Sequence, residues 1–433
     1  MIPSDDLLMP QTSSHAHLPR PTVAEGPKAS AIIAAMRTRP PKASSTIYTW
    51  TALALDLLAL PTAPFHEHHI LRRVQEHAEE AGYTVRTDRW GNLMIDIPAA
   101  EPVAGPPLVL SAHTDHPGFW ALRMLDDHKM LAGWIGRVAE TYFAGSALRF
   151  SSGDPVLGDP ASPPARGHVT KVREYRGEGD HALVEVAIDR PVAPGSIGQW
   201  DLPGPEVIDG RIHAPAIDDV AGVAALVCVM KELAEKGAAR PVSLVFTRAE
   251  EAGFVGCIGY CRDEIAAGRR GAAQVVGIEM SKAMGAAEVG GGPVVRVGDR
   301  HSIFDPAVTD DCAHAGDLLR KRDSSFRYQR KLMDGGTCES SVFQGYLGRS
   351  GAVCVPLGNY HNIDEDAGRI DREYIDVGDF HGLIRLLLQI IESPVSEATS
   401  VLSRPLVDWC DDLWARHEHL LFDPSSSPKG GEA

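Results

Sequence analysis

Four stretches of the chain run a short apolar segment into a side chain that can bind a metal or move a proton. Leu108 to Ser111 leads into His113, Val242 to Thr247 leads into Glu250 and Glu251, AAQVVGIEMS carries Glu279 at the end of its apolar run, and GAVCVPLGNYHN carries His361. A fifth segment opens on Asp218 and Asp219 and continues with helical periodicity for about 17 residues, to Gly237. Gathering these carboxylates without a cation is costly, because two like charges ~4 Å apart repel by about 4 kcal/mol at an effective dielectric near 20. Imidazole with carboxylate suits zinc and related transition metals, whereas an all-oxygen set would favour magnesium or calcium. The charges of Asp218, Glu251 and Glu279 with one hydroxide balance two divalent ions, zinc first and cobalt or manganese as alternatives. That balance leaves Glu250 to take a proton from water. On physics alone either of the neighbours Glu250 and Glu251 could face a metal.

Side chains so far apart in sequence converge when they stand at the carboxyl ends of strands in one open sheet. Helical and strand signals alternate along the chain, which predicts an α/β fold with a mixed, largely parallel sheet flanked by helices. Residues 120–205 differ, being rich in Gly and Pro with β-like runs such as GHVTKVREY and HALVEVAID, and read as a small inserted β-domain. The expected organisation is a disordered tail over 1–45, a discontinuous catalytic domain over 46–119 and 206–395, the insert over 120–205, and a C-terminal helix with a disordered tail over 396–433.

The 433 residues exceed one ordinary core, and 44% apolar with 23% charged residues is the balance of a globular protein. With 42 basic against 58 acidic residues the net charge is −16, which opposes nucleic-acid binding. No apolar run reaches the ~18–20 residues that span a bilayer, and the start lacks a signal-peptide pattern, so the expectation is a cytoplasmic protein without a membrane partner. The seven cysteines are scattered and read as reduced core residues; Cys257 and Cys261, one helical turn apart, lack a second pair for a structural metal site.

Other features read as structural. HEHHILRRVQEHAEEAG, residues 66–82, predicts an amphipathic helix closed by Gly82, with His66-Glu67-His68-His69 as a solvated first turn because the H-E-x-x-H spacing is absent. Gly290-Gly291-Gly292 has no P-loop lysine near it and reads as a turn before a strand. Cys338 and His361 could be pictured as a thiol and its base, but the metal constellation needs no thiol. His168, His181 and His213 have no partner set. The run containing Leu402, Leu406, Trp409, Leu413, Trp414 and Leu420 predicts a helix that docks on the body or on a neighbouring subunit.

Taken in order, the motifs resemble those of the dinuclear-zinc aminopeptidases, in particular the glutamyl-aminopeptidase and tetrahedral-aminopeptidase family. His113-Thr114-Asp115 with Gly118-Phe119 is similar to its H-x-D-x-x-G-F, Asp218-Asp219-Val-Ala-Gly222 to its D-D-x-x-G, and Glu250-Glu251-Ala-Gly-Phe-Val-Gly256 to its E-E-x-G-x-x-G. Gly291-Gly292-Pro293 and Gly335-Gly336-Thr337 are similar to two later landmarks, and the likeness runs from about residue 50 to 392. The resemblance implies His113 and Glu279 on one metal, Glu251 and His361 on the other, Asp218 bridging, Glu250 as general base and Asp115 orienting His113. It also implies removal of N-terminal residues from peptides and homo-oligomers assembled through the inserted β-domain into a large hollow particle, which the long tails and altered insert of this chain could reduce to a dimer. The chain departs from the family pattern at Glu279 (usually Asp), Val220 (often Arg), Cys338 (often Asp) and Gly358-Asn-Tyr-His361-Asn (usually R-Y-I-H-S). Two rivals keep the same residues: a deacylase of small N-acyl substrates, and a metal-stabilised assembly protein with weak catalysis.

Overall fold

The computed structural model describes residues 42–417 apart from 102–104, 155, 157, 177–180, 286 and 394–402. Most of the two expected tails lies outside the described residues, although the helix Lys42–Leu58 already starts within the stretch expected to be tail. An eight-stranded sheet forms the centre, in the order Val85–Thr87, Leu93–Ile97, Val242–Thr247, Leu108–His113, Gln274–Lys282, Ser350–Leu357, Val294–Asp299, Gln329–Met333. The pairings through the middle are parallel, and antiparallel ones lie outside them. This is the mixed, largely parallel sheet that the sequence predicts. Strands covered on both faces must be apolar throughout, and Leu108–His113 and Ser350–Leu357 are buried at every residue.

Helices cover the sheet. Val220–Lys236 is the most enclosed, buried without a break from Val220 to Met230, and stops at Gly237, whose φ of 77° only glycine adopts without strain. It packs with Val377–Glu392 and with the sheet in one apolar core that includes Leu226, Leu244, Phe246, Val353 and Phe380. The helix His68–Glu80 confirms the periodicity of residues 66–82. Its start is not the solvated turn that the local pattern suggests, because Glu67 is 0% exposed and His69 is buried.

Six strands between Gly118 and Trp200 close into a barrel. Its interior is aromatic: the ring of Phe119 lies 4.5 Å from that of Trp134 and 4.9 Å from that of Trp200. The first barrel strand begins at Gly118, five residues past His113 in the chain. Of the seven cysteines six are buried, and Cys410 is exposed on the helix Ser403–His417, against the expectation that all are core. Val407, Trp409 and Trp414 on that helix are each more than half exposed, so this part of it does not dock on the body. No helix of the described residues is long and apolar enough to cross a membrane.

Candidate metal centre

Each expected site residue is brought to one crevice by a different device. His113 is the last residue of its strand, and the strand Val242–Thr247 runs beside it in register, Thr247 opposite His113. The chain then turns through Ala249, held at φ 53°, into Glu250 and Glu251. Glu279 stands three residues before the end of Gln274–Lys282, so it projects from within a strand and not from a strand end as the apolar run suggests. His361 follows the strand Ser350–Leu357 on a turn in which Asn359, His361 and Asn362 all have positive φ (54°, 55° and 65°). Three left-handed non-glycine residues in a row of four store backbone strain that the surroundings must hold.

The side chains fall into two donor groups, His113 with Glu250 and Glu279, and Asp218 with Glu251 and His361, each with donor atoms within 4.8 Å of one another. The neighbours Glu250 and Glu251 therefore point to different groups. Asp218 lies between them: its Oδ1 is 3.5 Å from His113 Nε2 and its Oδ2 is 3.8 Å from His361 Nε2. Glu279 Oε1 is 3.5 Å from His113 Nε2, and Glu251 Oε1 is 3.2 Å from His361 Nε2.

Buried polar atoms normally have partners, but His113 Nε2, His361 Nε2 and Asp218 Oδ1 have none. They belong to the two donor groups, whose imidazole-carboxylate chemistry fits zinc or a related divalent ion. In the metal-free chain burial would lower the His113 imidazole, yet Glu250, Asp115, Asp218 and Glu279 hold it well above its ordinary value. His361 is raised in the same way, mainly by Glu251 working against burial. Burial raises Glu250 well above the carboxylate range; His113 opposes the shift, while Glu251, Glu279 and Asp115 add to it.

A second layer fixes the ligands through their main chain. Asp115, 0% exposed, accepts the amides of Glu250 (2.9 Å) and Glu251 (3.0 Å) on its two carboxylate oxygens. Its own carbonyl is the nearer neighbour of His113 Nδ1, at 3.2 Å against 3.6 Å for its carboxylate. Glu67 accepts the amide of Ala249 (3.0 Å) and Arg248 Nε (2.7 Å). The motif glycines have steric reasons. A Cβ on Gly222 would sit 2.2 Å from Asp219 Oδ1, and one on Gly256 would sit 2.5 Å from the Arg248 carbonyl.

The remaining candidates stay structural. Cys257 and Cys261 are buried among Val245, Tyr260 and Phe343, outside both donor groups of the described residues. Gly290 and Gly292 make the expected turn and donate their amides to Asp379 (2.6 and 2.7 Å), filling with a side chain the place a phosphate would take. Cys338 lies at the head of the helix Glu339–Leu347 with its thiol pushed up by burial, while His361 faces Glu251 and Asp218. Sequence reasoning missed Glu67, His116, Asn362 and Glu373. His116 Nδ1 lies 2.6 Å from the Asp218 carbonyl and its Nε2 lies 3.1 Å from Asn362 Oδ1. The His116 in HTDH was the one available signal.

Next to Glu279 opens a cleft of about 70 Å³, bounded also by Met284, Arg296, Met333, Thr337 and Cys338. Arg296 is 3% exposed, donates from Nη1 to Ser281 Oγ (3.1 Å), and has no partner at Nε. Burial opposes its charge, while the nearby carboxylates of Glu279 and Asp299 favour it.

Among solved structures, an aminopeptidase from the archaeon Desulfurococcus kamchatkensis matches with a TM-score of 0.64 at 18% identity, over 81% of this chain and 96% of that one. The Pyrococcus horikoshii TET1 peptidase matches with a TM-score of 0.63 at 17% identity, over 80% and 100%. The dodecameric PhTET1-12s gives 0.62 at 19%, over 79% and 99%. At these identities the likeness establishes the fold. No curated protein matches the chain in sequence. The family model for M42 glutamyl aminopeptidase matches residues 91–371, from before the His113 strand to beyond His361 and over well more than half the chain. The chain belongs to the M42 glutamyl aminopeptidase family and is a peptidase.

Proposed function

We propose that this protein is an aminopeptidase whose two metal ions, zinc in the first place, are held by His113, Asp218, Glu251, Glu279 and His361. The observation that carries the reading is Asp218 facing one histidine with each carboxylate oxygen. His113 and Glu279 would hold one ion and Glu251 and His361 the other, with Asp218 contributing to both. When bound, such a pair supplies a Lewis acid for the scissile carbonyl and lowers the pKa of water.

The chain's own residues do the rest. Glu250 takes the proton of the attacking water and returns it to the leaving amine, a role suited to a carboxyl raised by burial. Asp115, gripping both amides, sets Glu250 and Glu251 at their separate tasks. The first residue of the peptide enters the cleft beside Glu279, where the buried Arg296 has an Nε without a hydrogen-bond partner. This favours an acidic first side chain, in keeping with the glutamyl specificity in the family's name.

Two of the similar structures, both of TET1, are described as a dodecamer and as assembling into a tetrahedron or a large octahedral shell, which supports a homo-oligomer here, with the Gly118–Trp200 barrel as the contact element. Seven cysteines without a disulfide fit a reducing, cytoplasmic setting. Matched peptides with a free or an acetylated N-terminus test the activity. Release of the first residue from the free peptide alone is expected, and release of acetate from the acetylated one would make the protein a deacylase.

A further inference from the structure

Glu373 lies on the strand Glu373–Asp376, next to neither member of the ligand set in sequence, and is 0% exposed. Its Oε2 accepts the amides of Ile217 (2.7 Å) and Asp218 (3.1 Å), and its Oε1 accepts the amide of His361 (2.8 Å). One carboxylate thus ties together two segments that carry ligands of the same donor group, Asp218 and His361. The His361 segment is the one with three left-handed non-glycine residues, the kind of backbone that relaxes unless something holds it. The three main-chain amides that Glu373 accepts all belong to segments that carry proposed ligands, and its Oε2 also lies 4.0 Å from Nδ1 of His116, the imidazole next to the Asp218 carbonyl.

We infer that Glu373 is a positioning residue for the metal centre: by holding the main chain of Asp218 and of His361 in one grip, it sets the spacing of the second metal site. This rests on the two-metal reading above. Glu373 touches no substrate and donates nothing to an ion, so its removal acts on the site through Asp218 and His361. Asp379 provides the matched control, because it too accepts two main-chain amides, those of Gly290 and Gly292, on a loop that carries no ligand.

The test compares Glu373→Gln, Glu373→Asp and Asp379→Asn by zinc titration calorimetry of the full-length, metal-stripped protein. It adds amide hydrogen exchange of the same metal-free proteins. Glu373→Gln places an NH2 against one set of amides. It should leave the first zinc within about threefold of wild type, weaken the second at least tenfold, and speed exchange at 217–218 and 361. Glu373→Asp, which keeps the charge but is too short to reach both segments, should change both in the same direction, and it decides the matter should the Gln variant not fold. Asp379→Asn should lower thermal stability without changing either zinc affinity. The inference is overturned if both Glu373 variants bind the second zinc like wild type, if exchange at those amides is unchanged, or if Asp379→Asn weakens the second zinc as strongly. Fewer than two zinc ions on the wild type would instead count against the two-metal reading, and the exchange data would still decide whether Glu373 holds the two segments.

Discussion

Asp218 Oδ1 lies 3.5 Å from His113 Nε2, and neither atom has a hydrogen-bond partner although both residues are almost fully buried. The separation is too long for a hydrogen bond and suits two donors that share an ion. Leaving buried polar atoms unmade costs about 1–3 kcal/mol each, so the arrangement is reasonable only if something occupies the space between them.

Metal removal should therefore loosen the fold as well as stop turnover. At about 100 times its Kd, a ligand specific to the folded state adds about 2.7 kcal/mol, and each kcal/mol moves Tm by roughly 2–4 °C in a domain of about 150–250 residues and by less in a longer one. Differential scanning calorimetry should find Tm lowered by a few degrees after chelation and restored by zinc. An unchanged Tm would mean that these donors hold no ion.

Glu250→Gln should separate binding from chemistry. The amide keeps the shape of the side chain but cannot take a proton, and loss of a general base costs about 10²–10⁴-fold. Metal analysis should still find two ions per chain while kcat falls by at least ~100-fold. Retained turnover would take the base role away from Glu250.

Arg296→Ala should change selectivity more than rate. With the buried cation gone, kcat/KM for peptides beginning with Glu or Asp should fall at least tenfold against peptides beginning with Leu, about 1.4 kcal/mol of differential binding. An equal loss on both classes would mean that Arg296 shapes the cleft without reading charge.

The pH dependence has a definite sign. His113 and His361 are raised above the ordinary 6.5 in the metal-free chain, so the stability they contribute is full below that value and is lost as pH rises through their folded values. Glu250, also raised, acts in the same direction. Glu251, lowered chiefly because His361 outweighs its burial, keeps its contribution above the ordinary 4.5. Zinc must displace the imidazole protons, so zinc affinity should climb from pH 6.5 to 8 with protons released on binding, while the metal-free Tm declines. Calorimetry in buffers of different ionisation enthalpy measures this, and a pH-independent affinity with no proton release would contradict it.

Much of the site was legible because strand ends and a helix start are local features. The apolar run before His113 and the one before Glu250 announce both the strand and the group it delivers. Glu279 was placed at a strand end because the apolar run fades there, whereas pairing with Ser350–Leu357 carries the strand on to Lys282. Glu67 was misread for the opposite reason: locally it opens a polar helix turn, but its partner Arg248 lies 181 residues away. Glu373 gave no signal at all, since accepting three main-chain amides leaves no spacing or motif behind. That Glu250 and Glu251 belong to different donor groups became visible only with the left-handed turn at Ala249.

The central claim, a peptidase site completed by two ions, is tested most directly by titrating zinc into the chelator-treated protein while following release of the first residue from a Glu-initiated peptide. The account predicts negligible release without metal and a rate that rises to a plateau at two equivalents per chain. Full activity after chelation, or a plateau at one equivalent, would contradict it.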